Sequence, residues 1–131
     1  MIYHGWIQGK PIPQGSKTAV VRNGKAVMFE ANKKHKAYRQ MLEKIFSSCT
    51  PTSSPVRVEL VFTFEQPKTV TRLFPSVKPD IDKLSRTILD AASGHLFVDD
   101  AQVIILNARK HYGPADGVLV RVFEITEITI P

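Results

Sequence analysis

"VRVELVFTFEQ", residues 56–66, alternates without a break: Val56, Val58, Leu60, Phe62 and Phe64 fall on one side, Arg57, Glu59 and Thr63 on the other. Side chains in a strand repeat every two residues, so this predicts a half-buried strand with one face against a core. The flanks supply what covers that face. Upstream, a helix is expected over about 33–48, capped by Asn32, with Ala37, Met41 and Ile45 in one stripe and Tyr38, Leu42 and Phe46 in the next. Downstream, a second helix over about 81–93 puts Leu84, Ile88, Ala91 and Ala92 on one face and stops at Gly94. Further out, "IYHGWIQGK" reads as a strand and "KTAVVRNGKAVMFE" as a hairpin turning at Asn23-Gly24. "HLFV" is a short strand or turn, "PKTVTRLFPSVKP" an irregular connection, and "QVIILNARKHY" and "GVLVRVFEITEI" two closing strands. The order predicts an α+β fold: a mixed, largely antiparallel sheet with two main helices packed on it. With no repeat and no dividing linker, residues 1–131 form one expected domain.

Composition narrows the partners. The single cysteine, Cys49, excludes an internal disulfide and suits a reducing cytoplasm. No long apolar run and no signal-peptide architecture is present, so a soluble cytoplasmic protein with no membrane association is expected. Residues 1–39 carry eight cationic side chains and one acid, Glu30, whereas the rest of the chain is close to neutral. Such segregation either solubilises the protein or marks a surface for a polyanion. Candidate residues for contacting such a polyanion are Lys10, Lys17, Lys33, Lys34, Lys36, Arg39, Lys83 and Lys110. Lysines 33–36 stand at the expected start of a helix, where they oppose the dipole at a small cost that phosphate binding would offset.

Against this basic background, four of the twelve acids gather in two short clusters: "KPDIDKL" (78–84) and "LFVDDAQV" (96–103). Mid-helix, Asp80 and Asp82 would point about 200° apart. Pro79 biases Lys78 towards extended geometry, so Asp80 can take the cap position, from which the two carboxylates could converge at the helix N-terminus. First-turn acids also simply stabilise a helix, and that reading stands beside the functional one. Asp99 and Asp100 are adjacent, so a strand would turn them to opposite sides. Bringing several carboxylates together is costly unless a cation compensates, and Mg²⁺ is the natural hard ion, with Mn²⁺ as an alternative. The scattered His4, His35, His95 and His111 suggest no zinc site. Carboxylate-held Mg²⁺ in a basic protein points to phosphodiester chemistry. Arg86 lies one helical turn beyond Asp82, placed either to steady a phosphate or to form a surface ion pair.

The block "KPDIDKLSRTILDAASGHLFVDDAQV", together with "GKPIPQGSK" and "ARKHYG", resembles the RusA family of Holliday junction resolvases. The resemblance implies a Mg²⁺-dependent crossover junction endodeoxyribonuclease, common in phages and prophages, that acts as a homodimer on four-way DNA junctions in recombination and repair. By position, Asp80, Asp82 and Asp100 match the metal-site carboxylates and Asp99 their neighbour. Arg86 stands where the family pattern has a functional Lys. Arginine keeps the charge but is a poor proton donor, which favours charge stabilisation over general-acid catalysis. Lys83 replaces the Asn often found after the D-x-D. Two rival expectations are a non-catalytic DNA-binding module and, ranked lower, a DxD enzyme acting on nucleotide-sugars, for which no Gly-rich phosphate loop is present.

Overall fold

The computed structural model describes residues 1–15 and 24–127, giving the backbone alone over 24–32. Its elements run β1 (Tyr3–Gln8), α1 (Gly24–Phe46), β2 (Val56–Glu65), α2 (Ile81–Ala92), a single 3₁₀ turn at Asp100–Gln102, β3 (Val103–Gly113) and β4 (Gly117–Glu124). The sheet order is β1-β4-β2-β3. β4 pairs antiparallel with both β1 and β2, and β2 pairs parallel with β3 through the α2 crossover. The sheet is therefore mixed and largely antiparallel, as the sequence predicts.

The alternation of β2 decides the layering. Val58, Leu60 and Phe62 stand beside Val122, Val120 and Val118 of β4, and all six are buried. Tyr38, Leu42 and Phe46 of α1 and Leu84, Ile88, Ala91 and Ala92 of α2 close over that face. Of the two stripes expected on α1, the one at 38, 42 and 46 enters the core, while Met41 and Ala37 stay exposed. The opposite face of the sheet carries Arg57 stacked 4.4 Å over the Phe123 ring, its register partner. Among the described residues no helix is long and apolar enough to cross a membrane.

Three local expectations are corrected. The second arm of the expected hairpin is helical, because α1 begins at Gly24; the first arm lies outside the described residues. A short apolar run such as "AVMF" has no period that separates strand from helix, and the good helix formers around it (Lys25, Ala26, Glu30, Ala31, Lys33) carry the helix through. Asn32 thus lies inside α1 rather than at its start. Lys33, Lys34 and Lys36 likewise sit mid-helix, so the argument from an opposed dipole falls, although all three are exposed.

β3 is one of the two outer strands, and it exposes three consecutive apolar residues near its start: Ile104 is 52%, Ile105 38% and Leu106 45% exposed. The pairing with β2 slips between Val56 and Arg57, whose partners are Val103 and Ile105, leaving Ile104 as an extra residue. Such a bulge re-aims the side chains that follow. From there Leu106, Ala108, Lys110 and Tyr112 lie opposite Val58, Leu60, Phe62 and Phe64, on the side of the sheet that faces the helices.

Candidate active site

α2 begins at the acids. Asp80 is its N-cap, with extended backbone (φ −70°, ψ 140°), and its carbonyl accepts the first helical bond from Leu84 N at 3.0 Å. The expected cap geometry is thus present, but the Asp80 side chain makes no cap hydrogen bond. It lies 3.9 Å from Lys83 Nζ, a half-exposed ion pair, and faces a groove shared with Lys10, Lys78 and the 11–15 segment. Asp82, in the first turn, is exposed on the other side. It lines a groove of about 450 Å³ with Ser85, Arg86, Leu89, Asp100, Leu106 and Ala108.

The D-D-A-Q segment divides its labour. Asp99 caps the 3₁₀ turn: its carboxylate accepts from Ala101 N at 3.1 Å, while Gln102 Oε1 accepts from Asp99 N at 2.9 Å. This is a reciprocal capping box. Gln102 Nε2 also donates to Thr52 O and Ser54 O, both at 2.8 Å, tying the turn to the loop before β2. Asp99 is therefore an architectural residue, its carboxylate engaged by backbone, and Asp100 is the one turned to the groove. Sharing a proton with the neighbouring Asp99 carboxyl, followed by desolvation and repulsion from Asp99 and Asp90, pushes the Asp100 carboxyl up. Asp99 is held down, first by the Ala101 N–H and then by its bond to Asp100.

The structure thus brings Asp82, Asp100 and Arg86 to one groove and leaves Asp80 on the adjoining one. The expected convergence of three carboxylates is absent: among the described residues no three His, Cys, Asp or Glu side chains gather closely enough to hold a metal ion. The donor chemistry of the groove still fits Mg²⁺. Its two exposed carboxylates offer hard oxygen ligands, and Mg²⁺ is commonly held by one or two carboxylates plus waters and substrate phosphates. Arg86 forms no ion pair with a described residue, so its five donors face the groove uncommitted.

The cations distribute differently from their expected common role. Arg39 is spent on Glu43 (3.7 Å) and Asp90 (4.0 Å), bridging α1 to α2. Lys110 donates to Val77 O at 2.8 Å and Pro79 O at 2.9 Å, pinning the segment that delivers Asp80 and Asp82. It is a clamp rather than a free surface cation. Lys10 lines a second groove of about 550 Å³ beside that segment, together with Lys68, Arg72, Lys78 and Lys110. Lys17 lies outside the described residues. Sequence reading missed Lys68, Arg72 and Lys78 as part of this cationic wall; the run of basic residues from 68 to 83 was the available signal.

Comparison with known proteins identifies the family. The profile described as "Endodeoxyribonuclease RusA" matches residues 8–123, which takes in both acidic segments, both helices, β2, β3 and all but the last residue of β4, but only the last residue of β1. A curated relative, the uncharacterized protein YqaN of Bacillus subtilis (strain 168), is 27% identical over 135 residues, spanning 92% of this chain and 94% of its own.

Proposed function

The chain belongs to the RusA endodeoxyribonuclease family, and on that premise we propose that it is a Mg²⁺-dependent, structure-selective endonuclease that resolves four-way DNA junctions by paired cuts in the cytoplasm of a bacterial or phage-infected cell. The observation that carries the reading is the groove shared by Asp82, Asp100 and Arg86. Asp82 and Asp100 would hold the ion. Asp80, which lacks a cap hydrogen bond and has only a loose partner in Lys83, would join them once Lys83 turns to a phosphate. Bound Mg²⁺ supplies an activated water and charge neutralisation at the phosphodiester. Arg86 binds the non-bridging phosphate oxygens, stabilising their charge as the bond breaks. Asp99 holds Asp100 in place through the 3₁₀ turn. The exposed mid-helix Lys33, Lys34 and Lys36, and the wall formed by Lys10, Lys68, Arg72 and Lys78, bind flanking phosphates.

Paired cuts require two sites, and the open edge of β3 supports a homodimer. Of its exposed Ile104, Ile105 and Leu106, the last lines the acidic groove, so a second copy on this edge would bring both centres to one junction. Incubation of a labelled synthetic four-way junction with and without Mg²⁺, beside linear duplex, tests the reading. Paired nicks in the junction alone, dependent on the metal, are expected. Asp82→Asn keeps the fold and junction binding but abolishes nicking; cutting at the wild-type rate by that variant refutes the metal site. A binding-only module is the second reading, favoured by the engagement of Asp99 in capping and the outward turn of Asp80. It requires junction binding without metal-dependent cutting.

A further inference from the structure

Two of the most exposed apolar side chains of the chain are adjacent. Leu73 is 81% and Phe74 68% exposed, at the tip of the irregular 66–79 segment, six residues before Asp80. An aromatic displayed to water by accident belongs on a loose loop, but this one is tied down on both sides. Upstream, Gln66 Nε2 donates to Val70 O (3.1 Å) and Arg72 O (2.8 Å), and Arg72 Nε donates to the Tyr112 hydroxyl at 3.0 Å. Downstream, Ser76 N donates to Phe74 O at 2.8 Å, Pro75 is buried, and Lys110 holds Val77 and Pro79. The tip is an apolar point on a braced arm, not unpacked core.

Its surroundings define the occupant. Lys68, Arg72, Lys78, Lys110 and Lys10 line the groove at the base of the arm, against only Glu65 and Asp116, and Asp116 is engaged by Glu65 N. A matching ligand is polyanionic along its edge and offers flat apolar faces within reach of the tip: nucleic acid with unstacked bases. Intact duplex hides those faces, whereas the branch point of a junction, where helical stacking is interrupted, is the place where a base leaves the stack at least cost. Resting on the junction-nuclease reading above, we propose that Leu73 and Phe74 insert at the branch point and pack on a base unstacked there, while the cationic groove holds the phosphates alongside. The arm would then be the element that distinguishes branched from linear DNA, setting the scissile strand against Asp82 and Asp100.

The test places 2-aminopurine at the branch of a four-way junction and, separately, in the middle of a linear duplex, without divalent metal so that nothing is cut. Wild-type binding should raise the fluorescence several-fold at the branch and leave the duplex signal flat. Phe74→Ala should lose the rise and weaken junction affinity roughly tenfold while leaving duplex affinity unchanged, and Phe74→Trp should restore the affinity. A branch signal that stays flat on wild-type binding, or equal losses on junction and duplex in Phe74→Ala, overturns the proposal. So does a Phe74→Ala variant that loses dimerisation, or binding to anionic vesicles, with its DNA binding intact: either assigns the tip to another partner. Wild-type protein that nicks the junction with Mg²⁺ but never perturbs the probe removes only the inserted arm. Protein that neither binds nor nicks the junction removes the function beneath it.

Discussion

Lys110→Met isolates the clamp between β3 and the segment that carries the acids. Methionine keeps the length and the apolar stem, so strand packing survives, while both hydrogen bonds to Val77 O and Pro79 O are lost. Bonds from a charged donor are worth about 1.5–3 kcal/mol each when shielded. Lys110 is only half-buried and its ammonium is well hydrated when released, so about 2 kcal/mol for the pair is the reasonable figure. That corresponds to a roughly thirtyfold larger population of the opened segment. Amide exchange reads it directly, since Val70 N and Ser76 N are bonded within the segment, to Pro67 O and Phe74 O. Both amides should exchange roughly thirtyfold faster, while amides of the β2–β4 ladder keep their protection. Nicking of a junction should fall, because Pro79 leads directly into Asp80 and the start of α2. Unchanged exchange at Ser76 would refute the clamp, and a loss spread evenly over the whole sheet would show that Lys110 supports the fold at large.

Three other substitutions separate structural from chemical roles. Tyr38 is buried, its hydroxyl has no partner among the described residues, and burial pushes its pKa up to about 12. The unfolded chain ionises near 10, so the Tyr38 contribution is intact below pH 10 and is lost as pH rises towards 12, by roughly 2–3 kcal/mol. Urea midpoints of Tyr38→Phe should therefore exceed wild type by more at pH 11 than at pH 8; equal differences at both would contradict this. Gln102→Leu orphans Ser54 O, leaves Thr52 O with the Val98 N–H alone, and opens the capping box, costing about 2 kcal/mol and lowering the melting temperature by roughly 6–8 °C. Because the turn carries Asp100, nicking should fall even at temperatures where the variant is fully folded. Ile104→Lys, at the exposed bulge, should convert a dimer to monomer by light scattering while leaving the melting temperature nearly unchanged at low concentration; a dimer of normal mass would move the interface elsewhere.

The legible parts of the fold were those in which local pattern and tertiary burial agree. The five alternating apolar residues of β2 are all buried, because a period-two stripe can satisfy only one side of a sheet. The end of α2 was legible for a backbone reason: Gly94 takes φ +83° and its N–H donates to Phe97 O, which side chains other than glycine reach at a cost. Residues 24–30 misled because their apolar run fits either period, and the choice was made by the helix formers beyond it.

The site was legible in composition and illegible in partnership, and the distinction is physical. Carboxylates crowded into a basic chain mark a place where charge must be compensated, and Asp82 and Asp100 do share a groove with Arg86. Which atom each polar group meets depends on elements distant in sequence. Asp99 reads in sequence as an assisting neighbour of the metal-site carboxylates, yet the 3₁₀ turn claims its oxygen. Lys110 looked like a phosphate contact because it is basic, yet its register opposite Phe62 puts it on the helix-facing side of β3. Along that side, Leu106 and Ala108 wall the acidic groove, Lys110 pins the arm, and Tyr112 holds Arg72 at its root. A single strand thus indexes the acids and the exposed tip to one another at the two-residue repeat of its pleat. Removing the bulge at Ile104, which would slip the register by one residue, would send all four side chains to the opposite face, and this couples the acidic groove to the arm more tightly than any contact between them does.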